Sequence, residues 1–170
     1  MSTLDPSGRT HALFRRVVAD EFSPIAQQCR SRLIDLGSWR FGFSTQTAIV
    51  TVGAYDGHLP SIVVKLRERR KEEPVLVDDS RDIGLGNLML FVDGASEPKS
   101  RPSKWDLPEI EREIRALATD TVKYVAPFVS SPTPDWDGLR TFVDRRIEAA
   151  LAAMPKLKMQ WPTRRTTECG

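Results

Sequence analysis

The stretch from Trp39 to Leu66 constrains this chain most, because its apolar residues recur with period two. Trp39, Phe41 and Phe43 alternate with Arg40, Gly42 and Ser44. Val50, Val52 and Ala54 alternate with Thr51 and Gly53, and Ile62, Val64 and Leu66 with Val63 and Lys65. Successive side chains on a strand point to opposite faces, so each run carries one apolar face and one small or polar face. Three such runs in succession predict an antiparallel meander covered by helices on one side. Asp56-Gly57 supplies the turn between the second and third runs. Pro60 stands at a strand start, where its missing N–H does least harm.

Helical patterns flank this block. Phe14, Val18, Phe22, Ile25, Cys29, Leu33 and Leu36 recur at three- and four-residue spacing, which is one helix face. Ser23-Pro24 reads as an N-cap followed by proline at the first helical position, predicting two helices or one kinked helix. Gly37 is the expected stop. Downstream, Asp106 and Glu109 form a capping-box-like start with Pro108 in the first turn. Leu107, Ile110, Ile114, Leu117, Thr121 and Val125 make its inner stripe, and Glu111 with Arg115 is a favourable outer pair. Leu139, Phe142, Val143, Ile147, Leu151 and Met154 define a last helix, capped by Asp135 or Asp137.

Between these helices and the meander the pattern is weaker. Arg67 to Glu73 reads as a charged loop or frayed strand end, and Val75, Leu76 and Val77 as a fourth, edge strand. Residues 82–92 fit either a helix or a buried strand, since Gly84 and Gly86 weaken the helical reading. Gly94 to Lys104, with its prolines and serines, is an exposed connector. The expected fold is α+β, a three- to four-stranded antiparallel meander packed on one face by N-terminal and C-terminal helices. Residues 1–154 form one domain in this reading. Residues 155–170 form a basic, extended or flexible tail carrying Lys156, Lys158, Arg164 and Arg165.

Composition narrows the function classes. The chain has 170 residues, 40% of them hydrophobic and 28% charged, with a net charge of +2. That balance gives no large single-sign field for nucleic acid or a membrane surface. No apolar run reaches the ~20 residues of a membrane span, and Met1 to Thr10 lacks the apolar core of a signal peptide, so a cytoplasmic location is expected. Cys29 and Cys169 have no histidine cluster beside them, so no zinc site is expected. Gly84-Leu85-Gly86-Asn87 lacks the third glycine of a dinucleotide fingerprint and the Gly-Lys-Ser/Thr of a P-loop. No cofactor and no metal follow from these motifs.

Catalytic residues are equally scarce. His58 with Asp56 is the one acid–base pair on a single predicted turn, and turn chemistry accounts for both. Arg67, Arg69, Arg70 and Lys71 are basic, but Glu68, Glu72 and Glu73 neutralise much of that run. Asp78, Asp79 and Asp82 form an acidic cluster whose spacing matches no calcium loop. Arg40 on the sheet's polar face and Trp136 ahead of the last helix are residue types that anchor protein interfaces.

The layout of an N-terminal stripe ending at Leu36-Gly37, the Trp39 to Leu66 meander and the closing Asp135-Trp136-Asp137-Gly138-Leu139 helix start resembles small bacterial immunity proteins that neutralise polymorphic toxins, and related uncharacterised α+β families. The resemblance implies a non-enzymatic protein-binding module with a toxin-like partner. In such a module Asp78, Asp79 and Asp82 are the expected contacts to a basic surface. Two alternatives remain open. One is a small-ligand binder or enzyme with a pocket between sheet and helices. The other is a nucleic-acid accessory protein acting through the basic tail.

Overall fold

The computed structural model describes residues 8–55, 61–71, 73–75, 80–94 and 106–154. It is an α+β fold. The strands β1 (Ile34–Gly37), β2 (Arg40–Ser44), β3 (Ala48–Tyr55), β4 (Ser61–Glu68) and β5 (Ile83–Gly84) form one antiparallel meander in the order β1-β2-β3-β4-β5. The helices are α1 (Arg9–Gln28), α2 (Leu85–Asp93), α3 (Leu107–Asp120), α4 (Ala126–Ser130) and α5 (Trp136–Ala153), with a π-helical turn at Thr121–Val125 between α3 and α4. The sheet therefore has one strand more than the upper expectation.

The period-two pattern maps onto burial as it should. Phe41, Phe43, Val50, Val52, Ala54, Ile62, Val64 and Leu66 lie in one apolar cluster with Phe14, Val18 and Phe22 of α1 and Ile110 and Ile114 of α3. Trp39 is not on a strand. Ser38 and Trp39, both at positive φ (47° and 64°), form the two-residue turn between β1 and β2. That is the sign a tight antiparallel hairpin demands at both positions. The Trp39 ring packs against His11 and Phe14 at centroid distances of 4.6 and 5.3 Å.

α1 differs from the sequence expectation at two points. It runs through Pro24 as one helix of 20 residues. Phe22, Ile25 and Ala26 bury on the same face as Phe14 and Val18, and this burial offsets the hydrogen bond that proline removes. The helix also ends at Gln28 rather than near Gly37. Arg30, at φ 56°, takes the left-handed conformation. Its N–H donates to Gln27 O at 2.9 Å, and that of Ser31 to Ala26 O at 2.8 Å. This is a Schellman closure with arginine at the position glycine usually holds. The continued apolar periodicity to Leu36 belongs to β1 instead.

The second sheet face is not open across its centre. Pairing sets Gly42 opposite Thr51 and Ile49 opposite Arg67 on this face, and Ile49, Thr51 and Arg67 are all buried. Val75 is not part of a strand. Its Cγ1 lies over Gly42, where an added Cβ would stand 2.8 Å away. Leu76 and Val77, the rest of the expected edge strand, lie outside the described residues, as do Asp56-Gly57 and Pro60. Within residues 82–92 the helical reading holds, since α2 covers Leu85–Asp93, including the 88–92 stretch read alternatively as a buried strand, and the two-residue β5 precedes it.

Caps fix the later helices. Asp106 accepts from Glu109 N at 2.9 Å, and Asp135 from Gly138 N at 2.9 Å. A Cβ on Gly138 would sit 2.2 Å from Asp135 Oδ2, so this cap requires glycine there. Thr121 Oγ1 donates to Leu117 O at 2.6 Å as the chain enters the π turn. Pro127 follows, and a wider turn accommodates a residue without an N–H. α5 buries Trp136 and Leu139, but from Asp144 onward every residue is exposed.

Candidate functional site

Four separated pieces of chain meet at one end of the sheet: the close of α1 (28–30), the β2–β3 turn (44–47), the end of β4 (Arg69) and the close of α4 (129–132). Between them lies a cavity of about 700 Å³.

The turn is built by threonine. Thr45 N donates to Ala48 O at 2.8 Å, while Thr45 Oγ1 accepts from the N–H groups of Thr47 (3.2 Å) and Ala48 (3.0 Å). A short hydroxyl side chain bonding its own turn is a common local solution. Two further bonds fasten the turn outward. Thr47 Oγ1 donates to Val129 O at 3.1 Å, tying it to α4. Arg69 N donates to Thr47 O, and Arg69 Nη1 to Thr45 O, both at 2.9 Å.

The described lining mixes polar and apolar surface in similar measure and carries one sign of charge. Among its described residues Arg30 and Arg69 are the cations, and none is aspartate or glutamate. Arg30 makes no ion pair among the described residues. Arg69 Nε is buried and finds no acceptor there. Ser44, Gln46 and Gln28 add neutral donors, and Cys29, Val129 and Pro132 supply the apolar patches. Burial pushes the Cys29 thiol up from its ordinary value, and the Ser130 hydroxyl, donating to Sγ at 3.9 Å, pulls it partly back. The thiol therefore stays protonated at neutral pH and is a poor nucleophile. Among the described lining residues there is no activated nucleophile and no carboxylate base, and the two guanidinium groups have the chemistry that complements an anion.

Arg30 carries a local cost as well. A non-glycine residue in the left-handed region is strained by about 1–2 kcal/mol, and such outliers gather where a side chain is needed in place.

The residues nominated from the sequence lie elsewhere. Asp82 is not a surface carboxylate: its side chain is 5% exposed and bonds Arg67 Nη1 at 2.9 Å. Arg67 is itself 1% exposed and also reaches Glu73 Oε1 at 3.2 Å, and Arg81 closes on the same oxygen. This buried network holds the segment after β4 onto the sheet, so the acidic-cluster contact loses Asp82. Asp78 and Asp79 lie outside the described residues. Arg40 is half-buried at the start of β2, opposite Gly53. Trp136 is buried, edge-to-face on Phe128 at 5.0 Å, and anchors the start of α5 rather than presenting itself to a partner. The structure brings none of the three described ones, Asp82, Arg40 and Trp136, into the cavity. Among the described residues no three His, Cys, Asp or Glu side chains gather as a metal site, and no helix is long and apolar enough to cross a membrane.

Sequence reading missed Arg30 and the Thr45–Thr47 turn, and took Arg69 only as part of a basic run neutralised by its neighbouring glutamates. The only available signal was Thr45-Gln46-Thr47 between two strands, which reads as a turn and nothing more. No family model, curated protein or solved structure matches the chain.

Proposed function

We propose that this protein binds a small anionic ligand in the cavity between the β2–β3 turn and the ends of α1 and α4. The carrying observation is a cavity whose described lining holds two arginines and no carboxylate. Binding pockets bury a ligand among a few converging polar groups, and about 300–1,000 Å³ is their usual size. Guanidinium groups bind oxyanions through paired N–H donors. Calorimetric titration with a panel of small mono- and dianions tests the reading. Saturable binding by at least one, lost in Arg69→Gln, supports it; no binding at millimolar concentrations overturns it.

The protein-binding role implied by the layout rests on a different observation. Ile147 and Leu151, one turn apart on α5, and Met154 just past its end are 52%, 62% and 63% exposed. An exposed apolar row on a helix is a common docking element. This second reading expects a stoichiometric toxin-like protein partner whose complex is lost in the Ile147→Ser, Leu151→Ser double variant. A complex indifferent to that change removes α5 from the reading.

A further inference from the structure

We infer that the anionic ligand is a phosphomonoester with a hydroxylated body, an inference that rests on the reading of the cavity given above. Charge is the first argument. Arg30 and Arg69 bring two positive charges, and the described lining brings no negative side chain. A carboxylate cancels one of those charges. A phosphomonoester carries about −1.5 to −2 at neutral pH and cancels both.

Donor count points the same way. Arg69 spends Nη1 on Thr45 O and still brings its guanidinium to the cavity wall. Arg30 contributes a guanidinium held by no ion pair among the described residues, and Ser44 and Gln46 add a hydroxyl and an amide. Three phosphoryl oxygens accept from that set of donors more fully than two carboxylate oxygens do.

Size and lining define the rest of the molecule. A space of about 700 Å³ is far larger than a bare oxyanion, so the ligand has an organic body. Cys29, Val129 and Pro132 are the apolar residues of the described lining, and none of the described lining residues is aromatic, so no ring is there to stack on a flat ligand. Gln28, Gln46, Ser130 and Ser131 border the rest of the space, and their amides and hydroxyls can both donate to and accept from ligand hydroxyls.

The test is calorimetric titration of the full chain with glycerol 3-phosphate and ribose 5-phosphate. Glycerol, ribose, inorganic phosphate and malate serve as comparisons. The esters are expected to bind at least about tenfold tighter than every comparison, a gap of ~1.4 kcal/mol. Arg30→Gly, whose new residue suits the left-handed helix end, is expected to weaken ester binding by about tenfold while the thermal midpoint holds or rises. Arg69→Lys is expected to do the same to binding, because lysine keeps the charge and loses the paired donors. Malate binding as tightly as the esters overturns the phosphate assignment and leaves the anionic-ligand reading standing. Inorganic phosphate binding as tightly overturns the hydroxylated body. No binding of any anion overturns both readings.

Discussion

Thr47 Oγ1 donates a hydrogen bond to the carbonyl oxygen of Val129 at 3.1 Å, joining a strand turn to a helix end 82 residues away. This contact sets the distance between two walls of the cavity. Thr47→Val keeps the shape and removes the donor, leaving the Val129 carbonyl without that partner. A loss of about 1 kcal/mol is expected, since a typical internal hydrogen bond contributes ~0.5–1.5 kcal/mol. Urea unfolding measures it, and a change below the error of the method would show that the tie is not used.

Arg30 at φ 56° predicts a trade between stability and binding. Glycine enters the left-handed region freely, so Arg30→Gly is expected to raise stability by about 1 kcal/mol. Arg30→Ala keeps the backbone strain and removes the same guanidinium. Comparing the two by thermal unfolding separates backbone from side chain. Equal midpoints for the two would contradict the strain argument.

The Arg67–Asp82 pair is buried on both sides. Asp82→Asn takes one carboxylate from Arg67, which keeps Glu73 Oε1 at 3.2 Å, so the expected cost is about 1–3 kcal/mol rather than the ~3–5 kcal/mol of a buried charge left wholly unpaired. If Asp82 instead served a surface contact, the substitution would leave the denaturation midpoint nearly unmoved.

Glu73 predicts an acid-sensitive step. The hydrogen bond from Arg81, then those from Arg70 N and Arg67, hold its carboxyl at about 2, below its ordinary value of 4.5. A carboxyl with a depressed folded-state value binds protons more readily when unfolded. Its stabilising contribution is therefore complete above about pH 4.5 and is lost as pH falls toward 2. Glu73→Gln should flatten stability against pH within that window and leave the slope above pH 5 unchanged, as read from denaturant midpoints.

Gly138 and Asp135 give a coupled pair. Gly138→Ala forces a Cβ into the Asp135 carboxylate and disrupts the cap of α5. Either Gly138→Ala or Asp135→Ala is expected to cost about 1 kcal/mol. The double variant should cost little more than either single one, because both remove the same interaction. Strict additivity in the measured unfolding free energies would show that the two act independently.

The sequence by itself determined the α+β class and the core of the meander. It also determined the caps at Asp106 and Asp135. These follow from local rules, side-chain alternation on strands and backbone N–H groups at helix starts, which need no knowledge of distant residues. Tertiary structure alone decided that α1 runs through Pro24, because burial on a common face outweighs one missing hydrogen bond. It decided that Arg67 and Asp82 are internal, because an ion pair leaves water only when the fold brings its partners together. It also decided the cavity. Arg30 sits at a helix end, Arg69 just past β4, Thr45 in a turn and Val129 in a helix more than 50 residues further on. No local pattern links them, since their proximity comes from the long-range packing of helices on the sheet.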